Sequence, residues 1–336
     1  MHAMSTTSST HRAIDAVWRI ESARVIAGLA RMLRDLDLAE ELAQDALVAA
    51  LETWPRDGVP DNPGAWLMTT AKRRAIDRLR RLQLLDRKHE ELARELEDIQ
   101  DERRSRDEDA LDHDIDDDLL RLVFVSCHPV LSMDARVALT LRLLCGLTTD
   151  EIARAFLAAE PTVAQRIVRA KRTLAEADVA FEVPRGDALQ ERLASVLGVV
   201  YLVFNEGYAA TSGDDWVRPA LCEEALRLGR MLAALTPREP EVHGRVALME
   251  IQASRLHARV GKDGEAVLLL DQDRSRWDQL LIRRGLEALA RAEQLGGAFG
   301  PYALQAAIAA CHARARTADA TDWVRIATLY AARAQV

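Results

Sequence analysis

From Thr148 to Leu174 the apolar residues recur at helical spacing on either side of one short break, and no part of the stretch alternates as a strand would. Thr148 is placed to cap a first helix, and Glu151, three residues on, completes a capping box. Ile152, Ala153 and Phe156 share that helix's apolar side. Pro161 stands where a second helix begins, a position that needs no backbone donor. Val163, Ile167, Ala170 and Leu174 then make a narrow apolar stripe. Thr162, Gln165, Arg169 and Arg172 fall opposite, flanked by Arg166 and Lys171. Residues 161–175 carry four basic side chains and no acidic one. A helix with one packed edge and one edge of arginines and amides has the form of a major-groove reader, since arginine pairs with guanine edges and glutamine with adenine edges. By itself the pattern fits equally well a solvated helix-turn-helix in any all-helical protein.

The rest of the chain is also built for helices. Alanine, leucine and arginine dominate, and aromatics are only 4% of the 336 residues. An all-α protein of two or three domains is expected. No run of about 18 apolar residues exists, so no membrane span is implied. The Ser/Thr-rich opening lacks the apolar core of a secretory signal and reads as a disordered tail over residues 1–12, with Met4 an alternative start. Four scattered cysteines without a C-x-x-C pair suggest reduced thiols in a cytoplasmic protein. The net charge of −8 looks wrong for a nucleic-acid binder, but residues 86–118 alone hold 16 acidic and 6 basic side chains. The remainder is therefore slightly positive, and local charge decides the electrostatics.

An amphipathic helix is expected from about Ala13 to Leu33 and a second from about Leu38, with Ala39, Leu42, Ala43, Ala46, Leu47 and Ala50 inward. Asp37, Glu40, Glu41, Gln44 and Asp45 fall on the outer face, which by pattern alone is a solvated acidic surface. Three prolines and two glycines mark residues 54–64 as a loop. A helix over about 65–82 buries Met68, Ala71, Ala75, Leu79 and Leu82, and its other faces carry Lys72, Arg73, Arg74, Arg78, Arg80 and Arg81. Six cations with one nearby acid favour contact with a phosphate backbone. The acidic stretch 85–117 reads as a charged, partly helical linker. Beyond it come a helix near 119–126, a helix capped by Asp134 and stopped by Gly146, and the helix pair already described. Val183-Pro184-Arg185-Gly186 opens a third region of long helices at about 187–204, 219–235, 240–260, 276–295, 301–316 and 320–334. Helix pairs at this spacing suggest an α-solenoid or TPR-like array without a strict repeat. Ile326 and Leu329 would be uncovered on the last helix, so the natural protein is expected to continue, or another chain to cover this end.

The stretches Asp37–Leu47 and Ala65–Arg81 resemble region two of a bacterial extracytoplasmic-function (ECF) sigma factor of the sigma-70 family. Gly146–Phe156 and Thr162–Leu174 resemble region four. Residues 126–129, 201–208, 269–278, 300–313 and 321–330 resemble the C-terminal TPR-like extension of one ECF subgroup. The domains would then be 13–84 (region two), 118–182 (region four) and 183–336 (regulatory, expected to be truncated at its end unless another chain covers it), joined by the 85–117 linker. The resemblance implies a factor that binds core RNA polymerase and directs transcription initiation, with no catalytic residue, cofactor or metal. Asp37, Glu40, Glu41, Gln44 and Asp45 would dock on polymerase, where an acidic face suits a basic partner. Asn62, Trp66, Lys72, Arg73, Arg74, Arg78, Arg80 and Arg81 would read and open the minus-ten element. Thr162, Gln165, Arg169 and Arg172 would read the minus-thirty-five element, with Arg166 and Lys171 on its phosphates. A regulatory protein is a further candidate partner, on the C-terminal region.

Two other classes compete. One is a helix-turn-helix regulator acting without polymerase; the other is a helical-repeat scaffold, which has no need for two unbalanced cationic helices. An enzyme finds little support. Cys127-His128, with His113 upstream, fits no standard zinc spacing and reads as structural. Glu206 and Tyr208 lack a partner base, and Asp271, Asp273, Arg274 and Arg276 lack the glycine and terminal Glu of a calcium loop, reading instead as a buried salt-bridge cluster.

Overall fold

The computed structural model describes residues 2–85, 108–208, 218–261 and 265–335, and over these the chain is helical. Thirteen α-helices are present among the described residues: α1 His2–Leu33, α2 Leu36–Asp57, α3 Pro63–Leu85, α4 Glu108–Ser126, α5 Met133–Leu143, α6 Thr149–Ala155, α7 Glu160–Glu176, α8 Asp187–Tyr208, α9 Pro219–Leu235, α10 Pro240–Ala253, α11 Gln279–Gln294, α12 Pro301–Arg314 and α13 Trp323–Arg333. Most of the linker expected over 85–117 and the side chains of Leu82 and His113 lie outside the described residues. The helix expected from Ala13 begins further back, so residues 2–12, read as a tail, continue α1 toward the N-terminus.

Two compact units divide the chain. One holds residues 1–152 and 160–192, the other 153–159 and 193–336. In the first, the apolar faces of α1, α2 and α3 meet through Ala27, Leu29, Leu42, Ala43, Ala46, Leu67 and Ala71, all buried. Small residues on α2 let the helix backbones approach closely, and the density of that contact stabilises the unit. Trp54 is buried near the end of α2, its ring edge-to-face with Trp66 at 5.3 Å. This anchor corrects the expected loop over 54–64. Pro55 costs one backbone hydrogen bond but stays within the last turns of α2, and the connection shrinks to residues 58–62.

The N-cap of α5 is Ser132, whose hydroxyl accepts from the Ala135 amide, and not Asp134 as expected. Asp134 lies in the first turn and pairs with Arg166 at 3.3 Å. Gly146 does mark the stop: its φ is +66°, and Leu147 N–H closes back on the Leu141 carbonyl. The Thr148–Glu151 capping box is formed in both directions, at 2.8 and 3.2 Å.

In the second unit α10, α11 and α12 share a core of Ala247, Leu248, Ile251, Leu289, Ala292, Ala303 and Ala306. Gly244 and Gly285 allow the close approaches: a Cβ at Gly244 would come within 2.8 Å of the Ala303 amide nitrogen, and one at Gly285 within 2.6 Å of Ile251. Ile326, expected to be uncovered, is buried, and Leu329 packs on the same core. The exposed large hydrophobic residues of α13 are Trp323, Val324 and Tyr330.

Candidate nucleic-acid interface

Helix α7 has the amphipathic division its sequence predicts. Val163, Ile167, Ala170 and Leu174 are buried, while Thr162, Gln165, Arg169 and Arg172 are exposed. The guanidinium of Arg172 is held at 2.7 Å from Glu176, one turn on. Thr162, Gln165, Arg166 and Arg169 line one side of a groove of about 340 Å³, and Val130 to Ser132, ahead of α5, line the other. The donors and acceptors expected to read bases are therefore presented together along one edge.

Helix α3 offers a second cationic surface. Asn62 caps it, its side chain accepting from the Ala65 amide at 3.0 Å, and Trp66 is half-buried against Trp54. Arg73, Arg78, Arg80 and Arg81 are exposed. Arg74 leans on Asp45 of α2 at 3.3 Å. Lys72 turns inward and is half-buried. Burial, then the nearby Arg31 guanidinium, hold its ammonium below the ordinary lysine range, and Asp118 opposes them. Asp118 is itself buried and paired with Arg31 at 3.1 Å.

The acidic face of α2 departs most from expectation. Asp37 and Glu41 are exposed, and Gln44 and Asp45 half-exposed, but Glu40 is only 6% exposed. Its carboxylate accepts from Arg142 Nε at 2.5 Å and from Lys171 Nζ at 2.5 Å, and Gln44 Nε2 adds a contact at 2.8 Å. Lys171 also reaches Asp37 at 2.7 Å and is itself 9% exposed. Burial alone would raise the Glu40 pKa; the Lys171 and Arg142 charges outweigh it and hold the carboxyl below its usual range. The lysine expected on DNA phosphates is thus folded onto the acidic face expected to meet polymerase. Arg142 was missed in the sequence. The available signal was a lone cation inside the apolar run 137–147, which a buried carboxylate had to answer.

Cys127 and His128 form no site. The Cys127 sulfur sits 3.3 Å from the Thr140 hydroxyl, burial pushes its thiol up to about 11, and His128 Nδ1 accepts from the Val130 amide. No metal-holding group of histidines, cysteines and carboxylates occurs among the described residues, nor any helix long and apolar enough to cross a membrane. The charged loop at 271–276 is not the buried salt-bridge cluster expected. Asp273 caps its own turn through Ser275, and Arg274 donates to the carbonyls of His312 and Ala315.

Comparison with known families decides what the two cationic helices belong to. Residues 19–84 match sigma-70 region 2 and residues 121–174 match sigma-70, region 4. The chain belongs to the ECF-type sigma factors of the sigma-70 family. Promoter recognition and transcription initiation are the work of those two regions. In this sigma factor α1 to α3 make up region 2, and α4 to α7 cover region 4. Residues 192–293 match a family of unknown function, DUF6596. An uncharacterized protein of Rhizobium meliloti (strain 1021) is 44% identical over 310 residues, spanning 92% of this chain and 72% of the relative. No solved structure matches the chain.

Proposed function

We propose that this sigma factor docks on core RNA polymerase in the cytoplasm through Asp37, Glu40, Glu41, Gln44 and Asp45, and reads a two-part promoter. Region 2 takes the minus-ten element, with Asn62 and Trp66 near the separating bases and Arg73, Arg74, Arg78, Arg80 and Arg81 on phosphates. Lys72 joins them when its half-buried ammonium is released. Region 4 takes the minus-thirty-five element: Thr162, Gln165, Arg169 and Arg172 meet base edges in the major groove, and Arg166 a backbone phosphate. Strand opening is differential binding, since the unpaired strand gains contacts that the duplex lacks. The C-terminal unit, in the manner of a TPR-like extension, regulates the other two regions and is where a partner protein would dock.

The observation that supports this reading most is the pairing of two exposed arginine surfaces, α3 and α7, with sequences matching region 2 and region 4 in that order. The Lys171 contact adds a step. Asp37 and Glu40 serve Lys171 in the free chain and polymerase in the holoenzyme, so docking exchanges one basic partner for another and releases Lys171 toward the promoter backbone. Gel filtration with core polymerase tests the docking face. The full chain should co-migrate with core, and charge reversal at the exposed Glu41 and the half-exposed Asp45 should abolish co-migration. A helix-turn-helix regulator or a scaffold would not co-migrate at all.

A further inference from the structure

A buried guanidinium needs hydrogen-bond acceptors or a counter-charge, because leaving it without either is costly. The C-terminal unit gathers three arginines around two aromatic rings. The Arg259 guanidinium lies 3.8 Å from the Tyr208 ring centre, and Arg255, 9% exposed, lies 5.9 Å from the same ring. Arg255 is also 5.8 Å from the Trp277 ring, and Arg274 is 4.9 Å from it. Cation and ring alternate through successive contacts: Arg259, Tyr208, Arg255, Trp277, Arg274. Arg274 Nη1 donates to the His312 and Ala315 carbonyls and Nη2 to the Thr321 hydroxyl, so its terminal nitrogens already have acceptors and tie the end of α12 to the cluster.

The polar atoms left over are nearly all donors. The Nε of each of the three arginines and Nε1 of Trp277 are buried without a partner among the described residues, as is Nδ1 of His312. Gln272 Oε1 is an unmatched acceptor, and His312 Nδ1 accepts or donates according to its tautomer. None of the three arginines is ion-paired among the described residues, although the ring faces offset part of their charge. Tyr208, Arg259 and Arg274 are half-exposed, so the cluster reaches the surface. Arg245 shows the sealed alternative. It is 1% exposed between Tyr201 and Tyr302, at 4.0 and 3.2 Å, and no ligand can reach it.

We propose that Arg255 and Arg259, held by Tyr208 and Trp277 and with Arg274 adding its positive charge beside them, form a binding site for a small polyanion bearing phosphate or carboxylate groups. Such a ligand brings only acceptors and negative charge, which is what the cluster lacks, and planar guanidinium forks match both groups bidentately. The rings pre-orient the forks, so little side-chain freedom is lost on binding. Signal input to the unit would then be chemical: a charged metabolite meeting a donor-rich cluster that reaches the surface. The inference does not rest on the promoter reading and stands or falls apart from it.

Calorimetric titration of the full-length protein at matched ionic strength tests it, with inorganic phosphate, pyrophosphate and citrate as separate probes. At least one should saturate one site per chain. Binding by the phosphates alone marks a phosphorylated ligand, and by citrate alone a polycarboxylate; either result supports the site. Arg259→Gln, on a half-exposed side chain, should weaken binding at least tenfold. Arg255→Lys, which keeps the charge but loses the fork, should do the same. Arg169→Ala on α7 should leave it unchanged. The proposal is overturned if no probe saturates, if binding survives both cluster substitutions, or if it disappears with Arg169→Ala instead.

Discussion

Glu40 and Arg245 are both charged side chains inside helical cores, at 6% and 1% exposure, yet their surroundings differ in kind. Glu40 is answered by two cations and an amide at ordinary hydrogen-bond distance. Arg245 is answered by the faces of two tyrosines, and its Nε and Nη1 have no partner among the described residues. Burial accordingly pulls the Arg245 pKa down to about 10, while the Lys171 and Arg142 charges outweigh burial at Glu40 and hold its carboxyl below the usual range. In the promoter-reading unit buried charge is matched by charge between α2, α5 and α7, an arrangement that a competing partner with its own charges can exchange. In the C-terminal unit buried charge is spread over aromatic faces, which leaves donors free for an acceptor to complete.

The largest test of that contrast removes one member of the matched set. Glu40→Ala takes the shared carboxylate from Arg142 and leaves Lys171 with Asp37 alone, and should cost about 3–5 kcal/mol in chemical denaturation of the first unit. A loss well under 1 kcal/mol would mean that the set is solvated and does not hold α2 against α7. Acid should act in the same direction. A depressed folded-state pKa contributes stability that is present above the ordinary carboxylate value of about 4.3 and is lost as pH falls through the lower folded value. Melting curves of wild type and Glu40→Gln should therefore converge below that range and differ at neutral pH.

A smaller effect is expected on the reading face. Arg169→Ala should cost about 1–3 kcal/mol of promoter affinity and change base preference, as measured by binding to promoter variants. Lys171→Ala should instead loosen the contact with Asp37 and Glu40, raising core polymerase binding while lowering promoter affinity evenly across sequences. Gly146→Ala forces a β-carbon into φ +66° and within 2.9 Å of the Ser22 hydroxyl. About 1–2 kcal/mol of stability should be lost, read as a lower melting temperature. Arg245→Met should come last. It removes an unpaired buried charge at similar volume, so the lost ring contacts and the relieved desolvation should cancel to within about 1 kcal/mol. A loss as large as that of Glu40→Ala would break the distinction between the two units.

Periodicity carried most of the fold. The apolar stripe of α7, the capping box at Thr148 and Glu151, and the six C-terminal helices were legible because each depends on residues a few positions apart. Contacts across long separations were not. Glu40 reads as solvated because its own helix gives no hint of Arg142 or Lys171, which lie over a hundred residues away. Pro55 reads as a breaker because the sequence does not show Trp54 anchored on Trp66. The cationic helices of the site were legible as charge without balancing acid, but Lys72 and Lys171 were placed with the exposed arginines because sequence cannot tell a snorkelling cation from a buried one. Arg255 and Arg259 carry no local signal at all, since their partners are rings supplied by α8 and by the loop before α11.

Run-off transcription from a randomised promoter library, with core polymerase and the full-length chain, tests the promoter reading most directly. The account predicts transcripts absent with core alone, enriched for two spaced elements. Arg169→Ala should shift base preference at the upstream element and leave the downstream one intact. Transcription no higher than that of core alone, or an upstream preference untouched by Arg169→Ala, would contradict it.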